Sequence, residues 1–233
     1  MSSIFTRPRA RPPLAAVSSQ QVFREVNTED ELRAAVFSDT TGAYTFGITG
    51  RRIVIASPIS VKSPIVVTAS GTTIESHGKI PVFPAADALS CIFDVSSAVN
   101  VTIRNLMFSN TGNFVEPTVC VKLGSLNEML DCTVVTGTTA IIADTDSFVR
   151  GNKIFFGTFG VSIIGSASVV TGNMITSGIA TADPSSSRNV ITSNVMFNSN
   201  IDTSTSSGQN VIVGNAQVGT ITNTSTDAVT SNT

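Results

Sequence analysis

Four segments of this chain align without a gap at a fixed step, and that repeat constrains the fold more than any other feature. They are Phe148-Val149-Arg150-Gly151-Asn152-Lys153-Ile154, Val169-Val170-Thr171-Gly172-Asn173-Met174-Ile175, Val190-Ile191-Thr192-Ser193-Asn194-Val195-Met196 and Val211-Ile212-Val213-Gly214-Asn215-Ala216-Gln217. Asn152, Asn173, Asn194 and Asn215 are therefore spaced 21 residues apart, three times over. The first, second and seventh columns are apolar except at Gln217. A fifth copy, Met129-Leu130-Asp131-Cys132-Thr133-Val134, matches at a step of 20 and puts Cys132 in the asparagine column. Val101-Thr102-Ile103-Arg104-Asn105-Leu106 has the same shape with a longer insertion behind it.

A unit this short cannot bury a core alone, so each repeat is read as one coil of a solenoid. Coils stacked at the strand spacing of about 4.8 Å turn the apolar columns into one continuous core. The asparagine is expected to turn the corner, where tolerance of left-handed backbone matters, and to bond coil to coil in an amide ladder. That structural role outweighs a catalytic one for all four asparagines. Leucine-rich repeats have a similar period, but their Leu-x-x-Leu-x-Leu pattern is missing. The reading is a β-solenoid.

Composition agrees. Only 13% of the 233 residues are charged, while 41% are hydrophobic. Ser, Thr, Asn and Gly supply the remaining polarity, which disfavours a helical bundle and favours short strands and turns. The formal charge of −2 gives no reason to propose nucleic acid or an anionic membrane as a partner. No apolar stretch reaches the roughly 20 residues of a membrane-spanning helix, and the N-terminus carries no secretory h-region. Cys91, Cys120 and Cys132 form no CxxC pair, so buried free thiols in a protein made in a reducing cytoplasm are expected.

Four units follow along the chain. In residues 1–21, Arg7, Arg9 and Arg11 alternate with Pro8, Pro12 and Pro13, and no acid precedes Glu25. This reads as an extended arm, either a plain tail or an arm that orders against an acidic partner surface. Residues 22–89 hold a short helix and the first coils. Thr28 and Glu31 make a capping box, and Leu32, Ala35 and Val36 share one helix face. Ile53-Val54-Ile55, Ile59 with Val61, Ile65-Val66-Val67 and Thr72-Thr73-Ile74 then read as strands broken by Pro58, Pro64 and Gly71. Residues 90–220 are the regular coils. Residues 221–233 are read as a polar C-terminal tail, since 20 of the 36 residues from Asn198 to Thr233 are Ser, Thr or Asn.

On the helix Asn27 to Phe37, the Gly71-Thr72-Thr73-Ile74 segment, Asn100 to Leu106 and the asparagine repeat, the chain resembles the right-handed parallel β-helix proteins. These include pectate lyases, polygalacturonases and bacteriophage tailspikes, and the likeness runs over about Val22 to Val218. It implies an all-β fold, a right-handed parallel β-helix of about 20–21 residues per coil with a short N-terminal capping helix. It does not fix activity, because the fold hosts enzymes and inert virion parts alike. The lyase motif Trp-Ile-Asp-His is matched only by Asp131 in Met129-Leu130-Asp131-Cys132, and neither Arg150 nor Arg188 begins Arg-x-Pro-x-x-Arg. The hydrolase motifs Gly-His-Gly and Arg-x-Lys are missing. The single histidine, His77, follows Ser76 far upstream.

Spacing points the same way. A carboxylate pair on a solenoid face should recur at one coil, yet Asp144 and Asp146 step forward to Gly165 and Ala167 and back to Leu123 and Ser125. Their own i, i+2 spacing would put both on one face of a strand as a weak cation site, with a solvated turn the weightier alternative. Glu116 and Glu128 stand alone, and one histidine makes no transition-metal site. The chain has no Trp and one Tyr, Tyr44, which disfavours a sugar-binding groove; Phe93, Phe148 and Phe155 read as core.

The expectation is a non-enzymatic virion structural protein, with no catalytic residue, cofactor or metal. It would be a homotrimeric β-helix held through Arg7, Arg9 and Arg11 to a major capsid protein or another virion protein, as a decoration or cement protein or a head spike. A tail-associated spike, or a polysaccharide lyase or hydrolase of the same fold, is the alternative; a bacterial adhesin fragment ranks last.

Overall fold

The computed structural model describes residues 23–37, 51–85, 89–110, 116–155, 157–197 and 199–233. Arg7, Arg9, Arg11 and Tyr44 lie outside them.

The chain is a parallel β-helix. Its strands fall into sheets of ten, seven and eight strands, every pair is parallel, and each sheet is built from successive coils. Phe148–Arg150, Val169–Thr171, Val190–Thr192 and Val211–Val213 stack in the ten-stranded sheet exactly in the register of the sequence repeat. In each, only the central residue (Val149, Val170, Ile191, Ile212) points inward and is fully buried. The seventh column supplies the seven-stranded sheet, where Ile154, Ile175 and Met196 face the core. Phe93 and Phe108 meet edge to face inside the early coils, with ring centroids 6.0 Å apart.

Two sequence readings are corrected by this alternation. Phe148 and Phe155 are not core; they are 43% and 40% exposed. Phe148 precedes an inward residue and Phe155 follows one, and neighbours on a strand point to opposite faces. The whole first column, Phe148, Val169, Val190 and Val211, likewise faces outward.

Helix α1 (Glu29–Val36) closes the N-terminal end. Thr28 Oγ1 accepts from Glu31 N at 3.2 Å, while Glu31 Oε2 reaches back to the amide of Asn27 at 2.7 Å. Leu32, Ala35 and Val36 enter the core as expected. Arg33 fastens the helix to the coil beneath it, bonding Glu29 at 2.5 Å and the Pro64 carbonyl at 2.9 Å.

Residues 221–233 are not a free tail. Ile221–Thr222 and Ala228–Thr230 pair with the preceding coil, so this segment is a shortened last turn of the solenoid. Asn232 stands 17 residues beyond Asn215 and Asp227 the same distance beyond Asn210. Polar composition does not mark disorder here, because the polar side chains bond the coil below.

Candidate functional site

The repeated asparagines line the corner between the ten- and seven-stranded sheets, and all four are buried. Asn152 donates its backbone N–H to Asn173 Oδ1 at 2.9 Å, its Nδ2 to the same oxygen at 3.0 Å and again to the Met129 carbonyl at 3.0 Å. Asn173, Asn194 and Asn215 repeat this geometry on Asn194, Asn215 and Asn232. At the other end Cys132 N donates to Asn152 Oδ1, and Cys132 Sγ takes the amide of Leu106 at 3.5 Å. The ladder is a structural spine. The left-handed backbone, however, belongs to the residue before each rung: Asp131, Gly151, Gly172, Ser193, Gly214 and Ser231 have φ between 52° and 69°. The asparagine satisfies the corner's orphan amides instead of making its bend.

A second ladder, not recognised in the repeat, runs along the opening of the same sheet. Val101, Ser168, Asn189 and Asn210 donate backbone N–H groups to Asn127, Asn189, Asn210 and Asp227 respectively, at 2.8–3.0 Å. Its signal was present in Ser147, Ser168, Asn189 and Asn210, again 21 residues apart. Serine in half the rungs hid it. Asp227 ends this ladder, and burial raises its carboxyl. Bonds from Thr203 Oγ1, the Asn210 amide and Thr224 outweigh that and leave it below the usual range.

The charged candidates do not assemble. Asp144 and Asp146 follow the strand Thr139–Ala143 in a turn, so they share no strand face. Asp144 Oδ1 accepts from the Thr145 amide at 2.7 Å, and Asp146 sits at φ 55°. His77 bends away after the strand Thr73–Ser76. Among the described residues no three of His, Cys, Asp and Glu gather as a metal site. Cys91, Cys120 and Cys132 are buried free thiols. Burial pushes all three up, Cys132 to about 12, which keeps them protonated and unreactive.

Among the described residues, a groove of about 310 Å³ beside α1 is lined in part by Asn27, Glu29, Asp30 and Lys62, where Glu29 is held by Arg33 and the Lys62 amide. A shallow groove of about 380 Å³ lies at the turn between the seven- and eight-stranded sheets, lined in part by Phe159, Ser177, Asn200 and Asp202. Asp202 is its one carboxylate, and Oδ1 is taken by the Ser204 amide and hydroxyl.

The outer faces divide the molecule by chemistry. Early in the ten-stranded sheet, Arg52 and Arg104 both bond Glu75, Arg52 Nε at 2.5 Å. Burial raises that carboxyl, but the two guanidinium groups outweigh it and hold it below the usual range. Beyond Arg150 and Lys153 the outward positions change character. On the ten-stranded sheet they are Val169, Thr171, Val190, Thr192, Val211, Val213, Ala228 and Thr230. On the seven-stranded sheet and its margin, Met174, Thr176, Val195, Phe197 and Ala216 stand outward. Phe197 is 44% exposed.

The fold defines a class, the parallel β-helix, and takes the comparison no further. No protein-family model, curated protein or solved structure matches the chain.

Proposed function

We propose that this chain is a non-enzymatic structural protein of a virus particle. In this reading it is a homotrimeric β-helix fixed to a phage capsid by its N-terminal arm, as a decoration or cement protein or head spike. The observation that carries the proposal is the identity of the outward side chains over the C-terminal coils. Those outward positions hold Val, Thr, Ala and Met, with no carboxylate or base among them. Such a surface adheres; it does not transfer protons. The two amide ladders support the same reading, since they lock coil to coil and make a stiff rod that holds its shape without ligand.

Attachment in this proposal is electrostatic. Arg7, Arg9 and Arg11 pair with acidic groups of a capsid or other virion protein. Each exposed pair contributes only about 0–1 kcal/mol, so three arms acting together supply the avidity. The check is co-sedimentation with particles stripped of this protein. The full chain should pellet with them. A chain lacking residues 1–21 should stay in the supernatant, with its melting temperature unchanged. Undiminished binding by the truncated chain rejects the arm. Cleavage of a polysaccharide panel by the full chain would favour the lyase or hydrolase reading instead.

A further inference from the structure

We infer that the Asp183–Pro184 peptide bond is a self-cleaving site. In mild acid the Asp183 carboxylate attacks its own carbonyl carbon and cuts the chain, while the solenoid stays assembled. This chemistry is independent of the capsid proposal, and none of the residues described above takes part in it.

Asp183-Pro184 is the one Asp-Pro pair in the sequence. Proline makes the scissile bond a tertiary amide with no N–H to tie into a ladder. The pair lies in the turn between Gly178–Thr181 and Val190–Thr192, with Pro184 and Ser185 at the centre of the turn. Asp183 Oδ1 accepts from the Ser185 amide at 2.7 Å and the Ser185 hydroxyl at 2.6 Å, which folds the carboxylate over its own peptide bond. Among the described residues Oδ2 takes no hydrogen bond, so it is the attacking atom. The Asp183 carbonyl oxygen accepts from Ser186 N at 3.0 Å and from Ser186 Oγ at 2.7 Å, and Ser186 is buried. Two fixed donors on the oxygen that gains charge are the means by which acyl transfer is stabilised.

Oδ2 adds to the Asp183 carbonyl carbon, and the tetrahedral oxygen that results is held by the Ser186 N–H and O–H. The bond to the Pro184 nitrogen then breaks. Its electron pair stays on nitrogen, which takes a proton from the acidic solvent, and Asp183 is left as a five-membered cyclic anhydride. One water opens the anhydride, so the first piece ends in two carboxyl groups and the second begins with an amine. Acid helps the nitrogen to leave, yet the nucleophile must stay ionised. The Ser185 hydroxyl and amide hold the Asp183 carboxyl below its ordinary 3.8, which extends that overlap to lower pH. The neighbouring coils bond the turn through Ile163 O and Ser207 N, and residues 154–182 and 203–226 hold no charged side chain. Arg188 on the same coil, Asp202 on the next and Asp144 two coils back are the flanking charges.

Two other turns serve as controls within the chain. Asp94 and Asp202 accept the same pair of donors from Ser96 and Ser204. They precede Val95 and Thr203, which are secondary amides, and Thr203 N is bonded to Thr222 O at 2.7 Å. The cut also releases nothing. Val190–Thr192, Val195–Met196 and Ile201–Asp202 stay paired with strands that precede it, and Asn173 stays bonded to Asn194.

The test incubates the full chain at pH 4.5 and pH 7, with circular dichroism to follow the fold. Mass spectrometry under denaturing conditions and sedimentation under native ones read the cut. At pH 4.5 the denatured sample should contain residues 1–183 and residues 184–233, together one water heavier than the chain, with native mass and dichroism unchanged. At pH 7 the cut should be at least about 10-fold slower. Chain unfolded in urea at pH 4.5 should also cleave at least about 10-fold more slowly than folded chain. Ser186→Ala should slow the folded chain by at least about 10-fold and leave the rate in urea unchanged. Asp183→Asn keeps an acceptor for Ser185 but loses the ionised nucleophile, and it should stay whole. A folded wild-type chain that remains intact would overturn the inference. Equal rates in folded and unfolded chain would reduce it to the ordinary acid lability of Asp-Pro and overturn the part given to the turn. Cleavage that persists in Asp183→Asn, or that occurs equally after Asp94 or Asp202, would overturn the nucleophile.

Discussion

A single rung shows how the solenoid is held. Asn173 is fully buried and takes two donors from Asn152 on one oxygen, while its own Nδ2 serves Val149 O and Asn194 Oδ1. Removing it leaves the Asn152 amide and side chain with unmet donors. Each buried unmet group costs about 1–3 kcal/mol. Asn173→Ala should therefore lower stability by at least about 2 kcal/mol in urea unfolding. A loss below about 1 kcal/mol would show that the ladder is incidental to stability. The four asparagines and their partner Cys132 were legible in the sequence, because a side chain that bonds its copy in the next coil must recur at the coil step. Which residue carries the left-handed backbone was not. Gly151, Gly172, Ser193 and Gly214 share no single side chain, and their role is set by φ alone.

At the scale of elements, the repeat placed strands well wherever the coil length is constant. The inward residues Val149, Val170, Ile191 and Ile212 follow directly from it. It failed where the step changes. The last coil is four residues shorter than its neighbours, so Ile221–Thr222 and Ala228–Thr230 fall out of phase and the segment resembles a tail. Outward and inward columns were also merged, since Val serves on both faces of a strand and only the alternation tells them apart. The last coil depends on Asp227, whose carboxylate takes the Asn210 amide at 2.9 Å and the Thr203 hydroxyl at 2.7 Å. Its folded value lies below the ordinary 3.8, so its contribution is complete above about that pH and is lost as pH falls through the lower folded value. Hydrogen-exchange protection of the Asn210 and Thr224 amides should thus fall on acidification below pH 3.8, before that of the Asn173 amide. Asp227→Asn should remove the pH dependence. Equal loss at all three amides would assign acid sensitivity to global unfolding.

For the whole molecule, the account separates a spine, a surface and an arm. The spine is two ladders of amides and hydroxyls that order every coil from Val101 to Asn232. The surface is an uncharged wedge along the spine's edge. The arm is a proposal from the sequence of residues 1–21, which hold Arg7, Arg9 and Arg11. A monomer would leave that wedge in water. The most direct measurement of this account is the mass of the full chain by sedimentation equilibrium across a hundredfold range of concentration. The account predicts three chains throughout. A single chain at every concentration would contradict it.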